Sequence, residues 1–403
     1  MRALAAATLL LVAAPCRLLT QSEAGSELTV TLLTYETGGR VWERFGHNAI
    51  LIHDAASGLD HHYDYGRFDF GQAHFFFRFA QGKMWYSMGD ETDPARVIQF
   101  YASEGRKIWS QELDLTPAQR VALRDFLAWN IRPENAGYAY DYYRDNCSTR
   151  IRDALDRAVG GAIRRSALGP SGFTWRDETR RLDENNVFLY TGLMALLGEP
   201  VDVEMSRWEQ MFLPGRVREQ LDRVRITGAD GVERPLVKSE RILAEGGRWP
   251  VPERPSPWTW RYLVLGLLLG GLLAATGGSP VRGPRIVYLA VATLWELVAG
   301  VVGLIITWLW ALSAHMVAHW NENLLLFNVL SLALAVALPL AVRGSARGEK
   351  AARRLALGVT GLAALAVLIK VWPAFHQSNL DLIALALPAH AGVLLGLRTR
   401  PLS

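Results

Sequence analysis

Cysteine is scarce in this chain: 403 residues carry two, Cys16 and Cys147. A disulfide framework is excluded, and if the opening segment is removed after Cys16, Cys147 has no partner left in the chain. Repeats and low-complexity tracts are absent too. Lys and Arg are missing from 313–323 and 373–379, although each stretch lies between apolar runs. The net charge is only +4, and much of that excess sits in short loops, so composition makes no case for nucleic-acid binding. The zinc-protease motif is lacking as well. His315 and His319 have helical i, i+4 spacing, but no third ligand accompanies them, and neither metal nor cofactor is expected.

What is present begins with an export signal. Met1-Arg2-Ala3-Leu4 and the apolar stretch to Ala14 have the basic start and short hydrophobic core of a secretory segment, so residues 1–24 are expected to be a signal peptide or N-terminal anchor. Pro15 directly before Cys16 argues against lipidation there. From about Trp258 five apolar segments follow, at 260–277, 286–312, 324–342, 355–372 and 380–397, giving a transmembrane domain over 258–400. Their connections alternate in charge. Arg282 and Arg285 lie in the first, five basic residues in 343–354 and Arg398 and Arg400 in the tail, with none in the other two. By the positive-inside rule the C-terminus is expected in the cytoplasm and the large N-terminal region outside. Glu296 and His390 fall at similar depth in their segments, where an unpaired charge costs about 3 kcal/mol, and are expected to pair.

Residues 28–250 are expected to form one exported domain. Strand-like runs at 28–34, 48–53 and 61–65 precede helical patterns from Pro117 to about Trp129, capped by Thr116, and from Ser148 to Val159, which is an α+β order. The run Tyr142-Tyr143-Arg144-Asp145-Asn146-Cys147-Ser148-Thr149-Arg150 reads as a loop turning into a helix with the thiol in its first turn. The free amides and positive dipole end of such a helix favour a thiolate and could hold an oxyanion. Lone cysteines are more often small buried hydrophobes. Here polar flanks and an oxidising compartment favour a nucleophile. Its base would be His47, at the start of an apolar strand in Phe45-Gly46-His47-Asn48-Ala49-Ile50. A third group should orient the imidazole. Asp64 is the first choice, on one strand face with Asp60 and His62; His62 is the alternative, and Asn146 beside the thiol is also counted among the candidates.

A histidine strand ahead of a cysteine helix is similar to the circularly permuted branch of the papain-like and NlpC/P60-like thiol enzymes. More closely, the chain resembles the Lnb family of exported lipoprotein N-acyltransferases. The matching pieces are Phe45-Gly46-His47, Tyr63-Asp64-Tyr65-Gly66-Arg67-Phe68-Asp69-Phe70, Asn146-Cys147-Ser148-Thr149-Arg150-Ile151-Arg152-Asp153 and Met211-Phe212-Leu213-Pro214. The likeness implies an α+β permuted papain-like domain followed by an all-α transmembrane domain of about five helices. It also implies Cys147 as nucleophile, His47 as base, a membrane phospholipid as acyl donor and a diacylated lipoprotein as acceptor.

The outward loops add His315, His319, Asn321, Asn323, His376 and Gln377, which with Arg150 are candidates to bind the phospholipid headgroup or the acceptor; an ordinary polar interfacial loop is the competing reading. Phe68, Phe70, Phe75, Phe76, Phe77, Phe79, Trp85 and Tyr86 form an aromatic cluster that is core, membrane-facing surface or both. Two other functions stay open: a cell-envelope amidase or peptidase using the same pair, and a non-enzymatic receptor or scaffold. No residue pattern speaks to oligomeric state.

Overall fold

A computed structural model describes residues 23–228, 231–247, 249–343 and 345–397. The signal segment up to residue 22 and the basic tail with Arg398 and Arg400 lie outside the described residues. The exported part is built on a seven-stranded antiparallel sheet: β1 Leu28–Tyr35, β2 His47–Asp54, β3 Leu59–Arg67, β4 Trp85–Glu91, β5 Ile108–Leu113, β6 Gly137–Ala139 and β7 Val237–Ala244, in the order β7-β5-β1-β2-β3-β4-β6. The three strands and two helices expected from periodicity are all present.

Alternation along the strands decides what each face meets. Leu28, Val30 and Leu32 of β1, Ile50 and Ile52 of β2, and Tyr63 and Tyr65 of β3 share one core with Leu123, Leu127, Ile151 and Leu155. Those last four belong to two helices, Pro117–Asn130 and the thiol helix Cys147–Ala158. The first starts sharply because Thr116 and Gln119 cap each other reciprocally and Pro117 occupies the first position. Leu33, Tyr35, Ala49 and Leu51 face the other way, toward the helix Pro94–Ser103 with Val97, Ile98 and Tyr101. Numbered in chain order, the helices used below are α1 Phe75–Ala80, α2 Pro94–Ser103, α3 Pro117–Asn130, α4 Cys147–Ala158 and α5 Val187–Leu196.

The second half is helical. Thr259–Gly277, Arg282–Leu312, Glu322–Ala341 and Ala346–Val371 are long and apolar enough to cross a bilayer, and Leu380–Gly396 is a shorter apolar helix. Their regular helices are α6 Thr259–Gly277, α7 Arg282–Leu312, α8 Leu330–Val342, α9 Ala346–Leu368 and α10 Leu380–Gly396. α6 and α10 approach at backbone distance: a Cβ on Gly270 would stand 2.2 Å from Pro388 O, and one on Gly392 2.3 Å from Gly270 O. Small residues permit this, and van der Waals contact is the main attraction available between helices in lipid. His390 Nδ1 lies 2.8 Å from Glu296 Oε1, both side chains fully buried, which is the expected pairing across α7 and α10. The third segment departs from the continuous helix expected over 324–342. It opens as a 3-10 turn, Glu322–Leu325, and becomes regular only at Leu330. Asn321 Oδ1 takes the Asn323 amide at 3.0 Å and Asn328 Oδ1 the Leu330 amide at 3.2 Å, local bonds that displace helical ones.

The halves share a core. Tyr143, Trp175, Tyr190, Met194 and Phe212 of the exported part pack in one cluster with Tyr262, Ile306, Phe327, Leu382 and Ile383. α5 is the element that inserts, since its sequence is apolar on nearly every side and it packs on α7 and α10.

Candidate active site

Cys147 is the first residue of α4, and Asn146 caps that helix. Asn146 Oδ1 accepts from the Ser148 and Thr149 amides, both at 2.9 Å, and its Nδ2 donates to Tyr142 O and Phe212 O, also at 2.9 Å. Every hydrogen-bonding site of the amide group is in use, so Asn146 holds the helix start rather than facing outward. Phe212 in Met211-Phe212-Leu213-Pro214 thus supplies a carbonyl that fixes the cap, and Pro214 begins the helix Pro214–Leu221 that packs on β1.

His47 starts β2 behind Gly46, whose φ of +82° and close approach to Tyr35 O only glycine accommodates. Asp64 Oδ2 accepts from His47 Nε2–H at 3.2 Å, and Asp64 Oδ1 accepts from Arg67 Nε at 2.7 Å. That leaves Nδ1 as the nitrogen free to serve Cys147, whose side chain is close enough to help raise the His47 pKa. The two motifs are pinned in register beside the reacting atoms: Ser148 Oγ donates to Asn48 Oδ1 at 2.9 Å, and Asn48 Nδ2 donates to Thr34 Oγ1 at 2.9 Å. Gly66 forms part of a bulge in β3, with φ +90°. A Cβ there would lie 3.4 Å from Cys147 Cβ, so its lack of a side chain gives the thiol room at the strand end.

Electrostatics follow from this packing. Burial opposes the His47 imidazolium, but its neighbours Tyr101, Cys147 and Asp64 outweigh that and hold its pKa well above the ordinary histidine value. For Asp64, burial pushes the carboxyl up, and the bond and charge of His47 with Arg67 more than reverse it, leaving the pKa below the usual carboxylate value. His62 does something else. Its Nε2 meets Tyr35 OH at 2.8 Å rather than His47, and burial lowers its pKa.

The remaining candidates are scattered. Arg150 is locked in a bidentate pair with Asp145 at 2.5 and 2.7 Å and lies over the Tyr138 ring. His376 pairs with Glu199 at 3.1 Å, and His319 Nε2 approaches Ser313 O at 3.3 Å. Asn321, Asn323 and Gln377 correct the headgroup reading. All three are buried, and their side-chain amides donate to the last carbonyls of α5 and the residue after it: Asn321 to Ala195 and Leu196, Asn323 to Met194 and Ala195, Gln377 to Leu197, at 2.9–3.1 Å. A helix end buried in an apolar setting needs such donors, and none of these is left for a lipid. His315 stands apart, since its ring stacks on Tyr142 and its Nε2 donates to Phe79 O at 2.8 Å.

Sequence reasoning overlooked Arg67, Gly66, Asn48 and Phe212. Each lies inside a motif already singled out, but only tertiary pairing reveals what it touches.

Two family models match the chain. The Lnb N-terminal periplasmic domain matches residues 15–182 and the Lnb transmembrane domain residues 259–399, together well over half of the sequence. No curated protein and no solved structure matches. The periplasmic match spans the strands that carry His47 and Asp64 and the helix that carries Cys147, and the transmembrane match spans α6 to α10. With both parts present in family order, the chain belongs to the Lnb family, membrane-embedded envelope enzymes of the lipoprotein N-acylation type.

Proposed function

We propose that the protein moves a fatty acyl chain from a membrane phospholipid, through a thioester on Cys147, to the N-terminal amine of a diacylglyceryl lipoprotein. The observation that carries the reading is the gathering of Cys147, His47 and Asp64 at a helix start, with the imidazole hydrogen-bonded to Asp64 and Cys147 near enough to raise its pKa. In the first step the Cys147 thiolate attacks the ester carbonyl. Ser148 and Thr149 have given their amides to Asn146, so the Cys147 amide is the first-turn donor left for the oxyanion. The ester C–O bond breaks, His47 gives its proton to the departing lysophospholipid oxygen, and the acyl group stays on sulfur. In the second step a neutral α-amine attacks the thioester, His47 takes the amine proton, and the thiolate leaves. Asp64 accepts from His47 Nε2–H throughout, keeping Nδ1 toward sulfur.

The transmembrane half gives this chemistry its setting. Both substrates are bilayer-anchored, and confinement to one surface replaces encounter from solution. We place the protein in the inner membrane with the thiol domain in the periplasm and the C-terminus in the cytoplasm, on the strength of the loop charges. The test is an intact mass of purified protein after incubation with phospholipid and no acceptor, beside Cys147→Ala. A fatty-acyl gain that hydroxylamine removes and the variant lacks is expected. No adduct from any phospholipid in folded protein would turn the reading to amide hydrolysis by the same pair.

A further inference from the structure

α1 is an unusual surface helix. Its sequence is Phe75-Phe76-Phe77-Arg78-Phe79-Ala80, and among its phenylalanines Phe76, Phe77 and Phe79, with the nearby Trp42, Phe70 and Trp85, are 40–73% exposed. Scattered apolar residues on a surface are ordinary; six large aromatics close together are not. The ridge is also one body, because Phe70 packs on Trp42, Phe75 and Phe76, and Phe75 on Phe79.

The second observation is where the ridge is fastened. Gln81 O accepts from the Ala314 amide at 2.8 Å, and Phe79 O accepts from His315 Nε2–H at 2.8 Å. Gly82, with φ +72°, lies so near that a Cβ would reach the Ala314 carbonyl carbon at 2.9 Å. Ala314 and His315 follow α7 by two and three residues, so α1 sits within about one helical turn of the end of a membrane-spanning helix. At that level Trp308, Leu312, Met316 and Trp320 are exposed, and the same-side ends of α6 and α9 expose Trp260 and Trp372. Such tryptophans mark the depth of a membrane–water interface. Arg78 and Lys83 flank the ridge with positive charge, which suits anionic headgroups.

The third is what lies behind it. Phe75 stacks on Phe68, Phe68 on Tyr86, and Tyr86 on Tyr140 at 4.2 Å, while Phe79 meets Tyr142 edge-on. Phe68, Tyr140, Tyr142 and Cys147 all pack against the same core. A chain of ring contacts therefore runs inward from the exposed ridge to Tyr140 and Tyr142, which border the core that also holds Cys147.

We propose that this ridge is a lipid-binding surface, seated in the interface of the leaflet on the thiol's side, over which phospholipid acyl chains approach Cys147. Seating in the bilayer rests on the fastening and exposure alone; delivery to the thiol rests on the acyl-transfer reading. The two are separable by experiment. Nitroxide labels at Phe76→Cys and Phe77→Cys, in full-length Cys16→Ala/Cys147→Ala protein in phosphatidylethanolamine/phosphatidylglycerol nanodiscs, report depth through relaxation by oxygen against a water-soluble nickel chelate. Labels at Leu268→Cys in α6 and Ala56→Cys in the β2–β3 turn give the lipid and water references. Oxygen-dominated relaxation resembling Leu268 is expected, and nickel-dominated relaxation resembling Ala56 overturns the seating. For delivery, Phe76→Ser/Phe77→Ser is expected to slow thioester formation from phospholipid vesicles about tenfold, while alkylation by iodoacetamide shows the thiol site intact. Unchanged acylation overturns delivery. Wild-type protein that no phospholipid acylates would sink delivery together with the acyl-transfer reading and leave the seating to the labels.

Discussion

Replacing Asp64 by asparagine isolates one of the interactions that raise the His47 pKa. The amide oxygen of the replacement can still accept from His47 Nε2–H, so the ring keeps its orientation; what disappears is a negative charge whose oxygen lies 3.2 Å from the ring nitrogen. At a charge separation of about 4 Å and an effective dielectric of about 20, that attraction is roughly 4 kcal/mol, or about 3 pKa units at 1.4 kcal/mol each. Both side chains retain some contact with water, 17% and 13% exposed, so a fall of about 1–2 units in the His47 pKa is expected. The sign is fixed by linkage. A raised folded-state pKa means that the stabilised imidazolium is fully present below about 6.5 and is lost as pH rises through the raised value. Asp64→Asn brings that loss to lower pH. The alkaline limb of thioester formation against pH should therefore move down by about 1–2 units, with the plateau rate falling only about tenfold. Asp64→Ala removes the acceptor too and strands Arg67, and should cost about a hundredfold or more in rate. An alkaline limb that stays in place in Asp64→Asn, or an alanine variant equal to the asparagine one, would refute the assignment.

Other expectations follow from single contacts. Gly66→Ala adds a Cβ 3.4 Å from Cys147 Cβ at a φ of +90°, and should destabilise the exported part by about 1–3 kcal/mol and slow iodoacetamide alkylation of the thiol, read by thermal unfolding and mass spectrometry. Asn146→Ala uncaps α4 and leaves Tyr142 O and Phe212 O without their donor; a loss of about 2–4 kcal/mol is expected in thermal or denaturant unfolding, and a loss under about 1 kcal/mol would count against the cap as a determinant. Glu296→Leu removes the carboxylate partner of the buried His390, which keeps Leu326 O and Trp295 Nε1–H, and should cost about 1–3 kcal/mol in detergent, whereas Glu296→Leu/His390→Leu should cost clearly less than the two single losses added, as a double-mutant cycle would measure.

The periodic parts of the fold were legible because burial writes them into sequence. Leu28, Val30 and Leu32 alternate toward one core, Thr116-Pro117 announces α3, and apolar runs between oppositely charged loops announce the spanning helices. The thiol and its imidazole were legible for a different reason: a loop-to-helix cysteine and a strand-leading histidine each carry a local signature, and the family likeness joined them. What stayed hidden was set by partners distant in sequence. His62 and Asp64 share a strand face and a sequence argument ranks them only by preference, but the register puts Asp64 opposite Ala49 and one diagonal from His47, while His62 falls beside Tyr35. α5 was missed as an inserting helix because ten residues are too few for a span and look like core anywhere else.

The amides of the outward loops show why a polar loop at a membrane surface is easily misread. Asn321, Asn323 and Gln377 combine the absence of fixed charge with dense hydrogen-bonding capacity, which suits a headgroup and suits a buried helix end equally well. Burial decides between them. The carbonyls of Met194 to Gly198 end an apolar helix wedged between the halves, and Arg176 answers them from the exported side at 2.8–3.4 Å while the three amides answer from the membrane side. Arg176 is itself fully buried and neutralised by Asp202 at 2.7 and 2.9 Å, so that clamp has little freedom to slide. α5 and the ridge at α1 therefore fasten the exported domain to the same loop at two separate points, Asn321–Asn323 and Ala314–His315. Two attachments on one short segment restrict tilt as well as separation, which the single chain connection from β7 to α6 could not do alone. For a thiol whose proposed substrates are held in the bilayer, a fixed height above the membrane matters as much as the reactivity of the sulfur, and this chain spends its interfacial amides on that height.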